Sequence, residues 1–397
     1  MPTTRRNLLQ GYLLTALPLG ASRSSGQGGV YQELGIRPVI NCRGTHTVLG
    51  ASKKWPELDA PMAEASRTFV FLSELQEKVG ERLARLIGSE AAMVTTGAAG
   101  AITLGTCACL TGTEVKKVRQ LPNLEGMKTE VIIQKVHRNG YDHAVRNTGV
   151  KIIEVENRAQ LEAAAGQQTA MLYFLGGTTG DWAWETPILL EECVAVGRRA
   201  GFPVMVDAAN LLPPWENIRR VAAAGVGLIA ISGGKHMRGP QCSGILAGRK
   251  DLIQAALLNS NPHSDSLGRP MKVGREEMVG VWLAAEKYAG LDFAALDRRY
   301  RQQCEHLITS LQKLPGIRTG YMPFEKSRKI PRVLVQWDER ALGLTTKDCV
   351  RRLLEGDPRI AVLEHDEQGI FLTMFMADPG DEKAVARRLK EILMIQG

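Results

Sequence analysis

The sequence predicts an α/β fold built on a mostly parallel sheet, followed by a small C-terminal α+β unit. Two observations carry this. First, short apolar runs recur through the middle of the chain: Val131-Ile132-Ile133, Lys151 to Val155, Thr169 to Leu175, Phe202 to Val206 and Gly227 to Ile231. Each is followed by a polar loop and a stretch with helical spacing, the pattern of parallel strands covered on both faces by helices. Second, the pattern changes after residue 290, with strands expected near Val333-Leu334-Val335 and Ile370-Phe371-Leu372 and a last helix from Asp381.

The chain has 397 residues, 44% of them apolar and 23% charged, enough for a large core and two domains. The expected division is an N-terminal segment 1–29, a large domain 30–290 that opens with an arm and helix (30–75), and a small domain 291–397. No uncharged apolar run is long enough to cross a membrane. Net charge is +8, but the basic residues are spread in pairs such as Arg198-Arg199. The denser groups, Lys116-Lys117-Val118-Arg119 and 326–332, have no interleaved aromatics. Nucleic-acid binding is therefore not indicated, and the charge favours small anionic ligands. The seven cysteines are odd in number and form no C-x-x-C pair, so neither a disulfide framework nor a zinc site is expected. Arg5-Arg6, followed by the apolar run Gly11 to Ala21 and a Ser/Gly stretch, resembles a twin-arginine export signal, which makes export to the periplasm the expected fate.

In chain order, Val39 to Thr45 runs from a short strand into a polar loop. Residues 57–88 read as helices, with Leu75, Val79, Leu83 and Leu86 at helical spacing and Gly88 as the stop. Ala91 to Thr96 is a strand that turns through Gly97-Ala98-Ala99 into a small-residue helix. Such a turn presents free N–H groups and the positive end of a helix dipole, a natural phosphate site. His137 follows a strand. Asp207 ends another within an apolar stretch, where a carboxylate needs a partner. The run Gly227 to Ile231 ends in Ser232-Gly233-Gly234-Lys235, a small-residue bend presenting one lysine. Residues 259–275 form a polar loop expected to lie at the site, and one long helix is expected over 276–313.

In parallel sheets the ligand sits at the carboxyl ends of the strands, where the Gly97 turn, Asp207 and Lys235 all fall. These residues match what pyridoxal 5'-phosphate (PLP) requires of a protein: an amine, an acid for the pyridine nitrogen, a phosphate cup and a flat partner. Lys235 supplies the amine and Asp207 the acid. Gly97, Ala98, Ala99 and Ser232 supply the cup, and His137 is the candidate to stack on the ring.

Several ordered motifs then resemble one family. They are Tyr31 to Gly35, Pro38 to Gly44, Thr95 to Ala101, His137 to Ala144, Val206-Asp207-Ala208-Ala209, Ser232-Gly233-Gly234-Lys235, Gly239-Pro240-Gln241 and Gly268 to Glu277. Together they resemble the selenocysteine-synthase-like branch of the aspartate-aminotransferase-like (fold type I) PLP enzymes. That branch includes seryl-tRNA selenium transferase and D-glucosaminate-6-phosphate ammonia-lyase. The resemblance implies that Lys235 carries PLP as a Schiff base, that Asp207 pairs the pyridinium, and that the protein is a homodimer or larger. It also implies a lyase acting at Cα and Cβ of an amino acid or amino sugar acid, by α,β-elimination that releases ammonia or by β-replacement. Asn41, Arg238, Lys272 and Arg275 are the candidates to hold a substrate carboxylate or phosphate. The alternative is selenium transfer on seryl-tRNA; aminotransfer and a non-catalytic PLP binder follow behind. tRNA is not the expected partner, because the basic clusters lack aromatic platforms.

Overall fold

The computed structural model describes residues 29–176, 186–322, 330–365 and 368–394. The arginine pair of the expected export signal lies outside these residues. The chain forms two units, 1–39 and 40–397. In the first, a single turn of helix spans Val30–Glu33. A short strand, β1 (Val39–Asn41), crosses the boundary.

Seven strands make the large sheet: β2 (Ala91–Thr96), β3 (Glu130–Gln134), β4 (Lys151–Val155), β5 (Thr169–Leu175), β6 (Val204–Asp207), β7 (Leu228–Ser232) and β8 (Ser243–Gly248). Their order is β2-β8-β7-β6-β5-β3-β4. β8 is antiparallel to both neighbours and the other pairings are parallel. The expected mostly parallel α/β sheet is thus present. β8 went unread in the sequence because Ser243-Gly244-Ile245-Leu246-Ala247-Gly248 is glycine-rich, and glycine weakens the strand signal. Packing requires both glycines. A Cβ on Gly248 would lie 2.1 Å from the Gly227 carbonyl oxygen, and one on Gly244 would lie 2.3 Å from the Gly97 carbonyl carbon.

Alternate residues along each strand enter different cores, as the period of two demands. Val94, Ile132, Phe174, Val206 and Ile229 face one side. There they meet helices Leu72–Ile87, Leu190–Ala200, Glu216–Ala223 and Arg275–Ala289. Met93, Ile133, Tyr173, Met205 and Ala230 face the other, under helices Gly97–Thr111 and Lys250–Leu258.

The single helix expected over 276–313 is two helices, Arg275–Ala289 and Phe293–Leu311. Gly290 ends the first, and Asp292 caps the second by accepting the Ala295 N–H at 2.9 Å. The second helix carries the chain to a four-stranded antiparallel sheet. It contains β9 (Ile317–Tyr321) and β10 (Arg332–Trp337); after β11 (Arg359–Ala361) come β12 (Leu363–Glu364) and β13 (Ile370–Thr373). Its order is β12-β13-β10-β9, and its core includes Leu307, Val335, Leu353, Leu372 and Leu389. Cys42 joins that core. Its N–H donates to Ala361 and its carbonyl accepts from Thr373, each at 2.9 Å.

Candidate active site

Strand register gathers most of the predicted residues at one edge of the large sheet. Asp207 ends β6 and pairs with Ala230 on β7. Ser232 ends β7 and pairs with Gly244 on β8, which pairs with Thr95 on β2. Register partners face the same way, and so do residues two apart on one strand. Asp207, Ser232, Gly244 and Thr95 therefore share the face that helix Gly97–Thr111 covers.

Gly97 opens that helix with φ +65, a left-handed conformation that glycine adopts freely. No side chain caps the first turn, so the N–H groups leading from Gly97, Ala98 and Ala99 are available to an anion. Gly244 lets β8 approach this turn without obstruction.

Asp207 is buried, and both its oxygens are held. Oδ2 accepts from the Tyr173 hydroxyl at 2.7 Å and Oδ1 from the Ala209 N–H at 2.9 Å. Burial first, and then the Asp207 charge, push the Tyr173 hydroxyl well above its ordinary pKa, so it remains a donor. A carboxylate has about four acceptor positions, so this one retains capacity for a further N–H.

Lys235 lies in the turn between β7 and β8, half-buried. Its loop is tight enough to require glycine: a Cβ on Gly233 would meet Ser243 Oγ at 2.3 Å, and one on Gly234 would meet Gln241 Cα at 2.5 Å. The Gly233 N–H donates to Ser243, the Gly239 N–H to Gly233 and the Arg238 N–H to Lys235, at 2.9, 2.8 and 3.0 Å. From outside, Ser52 Oγ donates to the Gly234 carbonyl at 2.7 Å and Trp55 Nε1 to that of Met237 at 2.9 Å. The backbone on both sides of Lys235 is thereby fixed. An amine on a held loop, a buried acid with spare acceptor capacity and an uncapped helix start on one face are a donor set that fits PLP.

Not every candidate joins this group. His137 is 0% exposed, accepts the Leu175 N–H on Nδ1 at 3.3 Å, and packs edge-on against Phe174 with centroids 4.6 Å apart. Phe174 belongs to the face opposite Asp207. Burial holds the His137 imidazole down to about 3. Asn41 spends its side chain on its own loop. Oδ1 accepts from the N–H of Arg43 and of Gly44, and Nδ2 donates to the Gly44 carbonyl, all at 3.0 Å. Arg238 lies 4.0 Å over the Trp55 ring, and its Nε donates to the Lys53 carbonyl at 2.7 Å. Arg275 donates to the Ser66 carbonyl at 3.2 Å and lies over Phe69. Lys272 is exposed.

Two features went unread in the sequence. Tyr173 is a polar side chain of a fully buried strand; a buried phenol needs an acceptor, and that was the available signal. His46, after β1, feels the charges of both Arg43 and Lys235, across a long sequence separation that no local pattern reveals. Beyond the Lys235 loop lies a cavity of about 460 Å³, lined by Trp55, His236, Arg238, Tyr300, Phe375 and Met376 among others; its lining includes neither Lys235 nor Asp207.

No protein-family profile matches the chain. It is 30% identical over 386 residues to a 5'-C-glycyluridine monooxygenase-decarboxylase of Streptomyces sp, covering 92% of each chain. It is 29% identical over 374 residues to the D-glucosaminate-6-phosphate ammonia lyase of Salmonella typhimurium, covering 91% of this chain and 97% of that one. The solved structure of a D-glucosaminate-6-phosphate ammonia-lyase superposes with a TM-score of 0.80, covering 93% of this chain and 99% of the other at 29% identity. The L-seryl-tRNA(Sec) selenium transferase of Moorella thermoacetica is more distant, at 28% identity over 343 residues, with 74% of this chain and 68% of that one covered. With these relatives over nearly its whole length, the chain belongs to the selenocysteine-synthase-like branch of the fold type I PLP-dependent enzymes, a branch of lyases and transferases.

Proposed function

We propose that the chain is a lyase that acts at Cα and Cβ of an amino acid or amino sugar acid and releases ammonia, with Lys235 as the residue that carries PLP. The observation behind this reading is the buried Asp207 carboxylate, oriented by Tyr173 and Ala209 on the same sheet face as the Gly97 turn and Ser232. Bound PLP supplies an electron sink for negative charge at the substrate's Cα. The chain's own groups do the rest. Asp207 would pair with the ring nitrogen and keep its proton in place. The N–H groups of Gly97, Ala98 and Ala99, with the Ser232 hydroxyl, would hold the phosphate. Lys235 would take the Cα proton, the Cβ leaving group would depart with its bonding electrons, and water would hydrolyse the product enamine to a keto acid and ammonia.

The test begins with the spectrum of the purified protein. A visible cofactor band that disappears in Lys235→Ala is expected; a protein without PLP by mass spectrometry would end this reading. β-Hydroxy amino acids and sugar amino acids, D-glucosaminate 6-phosphate among them, should then release ammonia and a keto acid. Oxygen uptake with loss of carbon dioxide would instead place the chain with the monooxygenase-decarboxylase, and a tRNA gel shift would favour the selenium transferase. We further propose that Arg5-Arg6 directs export and that the working form is a homo-oligomer. Fractionation of cells expressing Arg5→Lys/Arg6→Lys should find the variant retained, and light scattering of the purified protein should find a dimer or larger.

A further inference from the structure

The strap that follows β1 carries Arg43. Arg43 Nε is buried and has no hydrogen-bond partner among the described residues. A buried donor without an acceptor is costly, and more so on a charged group. Its place is nevertheless closely fixed. Asn41 clamps the turn through three hydrogen bonds to Arg43 and Gly44. Gly44 takes φ +97 and lies against Phe375, where an added Cβ would be 3.4 Å from the ring. Phe375 in turn stacks on His236 at 4.4 Å and 17°. Farther along the same strap, Ser52 Oγ donates to the Gly234 carbonyl. The strap bearing Arg43 therefore reaches both sequence neighbours of Lys235, Gly234 directly and His236 through Phe375.

A second observation sets the cation and the amine about one side chain. Desolvation, then the charges of Arg43 and Lys235, hold His46 below its ordinary pKa, so Arg43 and Lys235 both lie within electrostatic reach of His46. Asn41 is occupied by its own loop, and Arg238 and Arg275 are each engaged by a backbone carbonyl and an aromatic ring. We infer that Arg43 is the anchor for an oxyanion group of the substrate, a carboxylate or a phosphate, opposite Lys235. A guanidinium takes either oxyanion through paired N–H groups. The assignment rests on the proposed role of Lys235, and it makes Arg43 a specificity-determining residue for that reaction.

The test uses the PLP-loaded full chain and reads the shift of its visible cofactor band on adding amines, a measure of binding rather than turnover. Three probes separate the possibilities: serine carries a carboxylate, O-phosphoethanolamine a phosphate, and ethanolamine neither. Arg43→Gln should weaken serine, O-phosphoethanolamine or both about tenfold or more, the loss of one charged hydrogen bond, and leave ethanolamine unchanged. The probe that weakens identifies the anion. Arg43→Lys, which keeps the charge without the fork, should fall between and guards against a misfolded Gln variant. Equal affinities in wild type and Arg43→Gln would overturn the inference, as would an equal loss for ethanolamine, which would mark a structural role. A wild type whose band answers none of the three amines would instead sink the Lys235 reading, and the anchor with it.

Discussion

Tyr173 donates a 2.7 Å hydrogen bond to Asp207, from the strand beside it. Tyr173 pairs with Met205, two residues before Asp207, so period-two geometry puts the phenol and the carboxylate on one face. The bond orients the acid, and the Ala209 N–H completes the hold. Replacing Tyr173 with Phe leaves a buried carboxylate oxygen without its protein donor. A hydrogen bond to a charged group is worth about 1.5–3 kcal/mol, and urea denaturation of the apoprotein should show a loss of that order. An unchanged midpoint would mean that solvent or a neighbour replaces the phenol.

Asp207→Asn keeps the shape of the side chain and removes its charge. PLP should then bind about ten- to a hundredfold more weakly, the equivalent of one charge-assisted hydrogen bond. Equilibrium dialysis of the cofactor reads this directly. Wild-type affinity in the Asn variant would remove Asp207 from the cofactor's partners.

Two glycines that meet at the helix start, Gly97 and Gly244 of β8, should behave differently. Gly97→Ala forces a left-handed residue, at about 1–2 kcal/mol, but its Cβ would meet nothing within 4 Å. Gly244→Ala puts a methyl 2.3 Å from the carbonyl carbon of Gly97, so backbone must move. Thermal unfolding should show the larger loss for Gly244→Ala, and that variant should also retain less PLP after gel filtration. Equal behaviour of the two would show that the turn yields freely.

His137 makes stability depend on pH. Its folded pKa is held at about 3 by burial, against an ordinary 6.5, so the unfolded chain takes up the proton first. The contribution is complete above about pH 6.5 and is lost as pH falls toward 3, at up to about 1.4 kcal/mol per pH unit. His137→Asn does not titrate and can still accept the Leu175 N–H. Urea unfolding at pH 7 and pH 5 should give a shallower pH slope for Asn than for wild type; parallel slopes would rule His137 out as the titrating group.

The site was legible wherever its chemistry lay at the end of a recognisable strand. Gly97, Asp207, Ser232 and Lys235 each follow an apolar run, and one parallel-sheet rule puts them at one edge. Residues whose roles depend on register or on distant packing were not legible in this way. β8 is hidden by Gly244 and Gly248, which serve close backbone approach rather than strand propensity. Asn41 has the composition of a ligand-binding loop, yet its amide closes its own turn, while Arg43 Nε beside it has no acceptor among the described residues. His137 follows β3, as the sequence expects, and its edge-on packing against Phe174 comes from the tertiary structure alone.

The sequence by itself determined the α/β class, the two-part organisation of strands and helices, and the lysine–acid–glycine set, because apolar periodicity and glycine placement are local properties of the chain. Only the tertiary structure decided which face each strand residue takes and that Tyr173 orients Asp207. The same holds for the strap bearing Arg43, whose Gly44 lies against Phe375 and whose Ser52 bonds the Gly234 carbonyl. Those relationships arise from register and from contacts between residues more than three hundred positions apart, as between Gly44 and Phe375, and no short-range pattern encodes them.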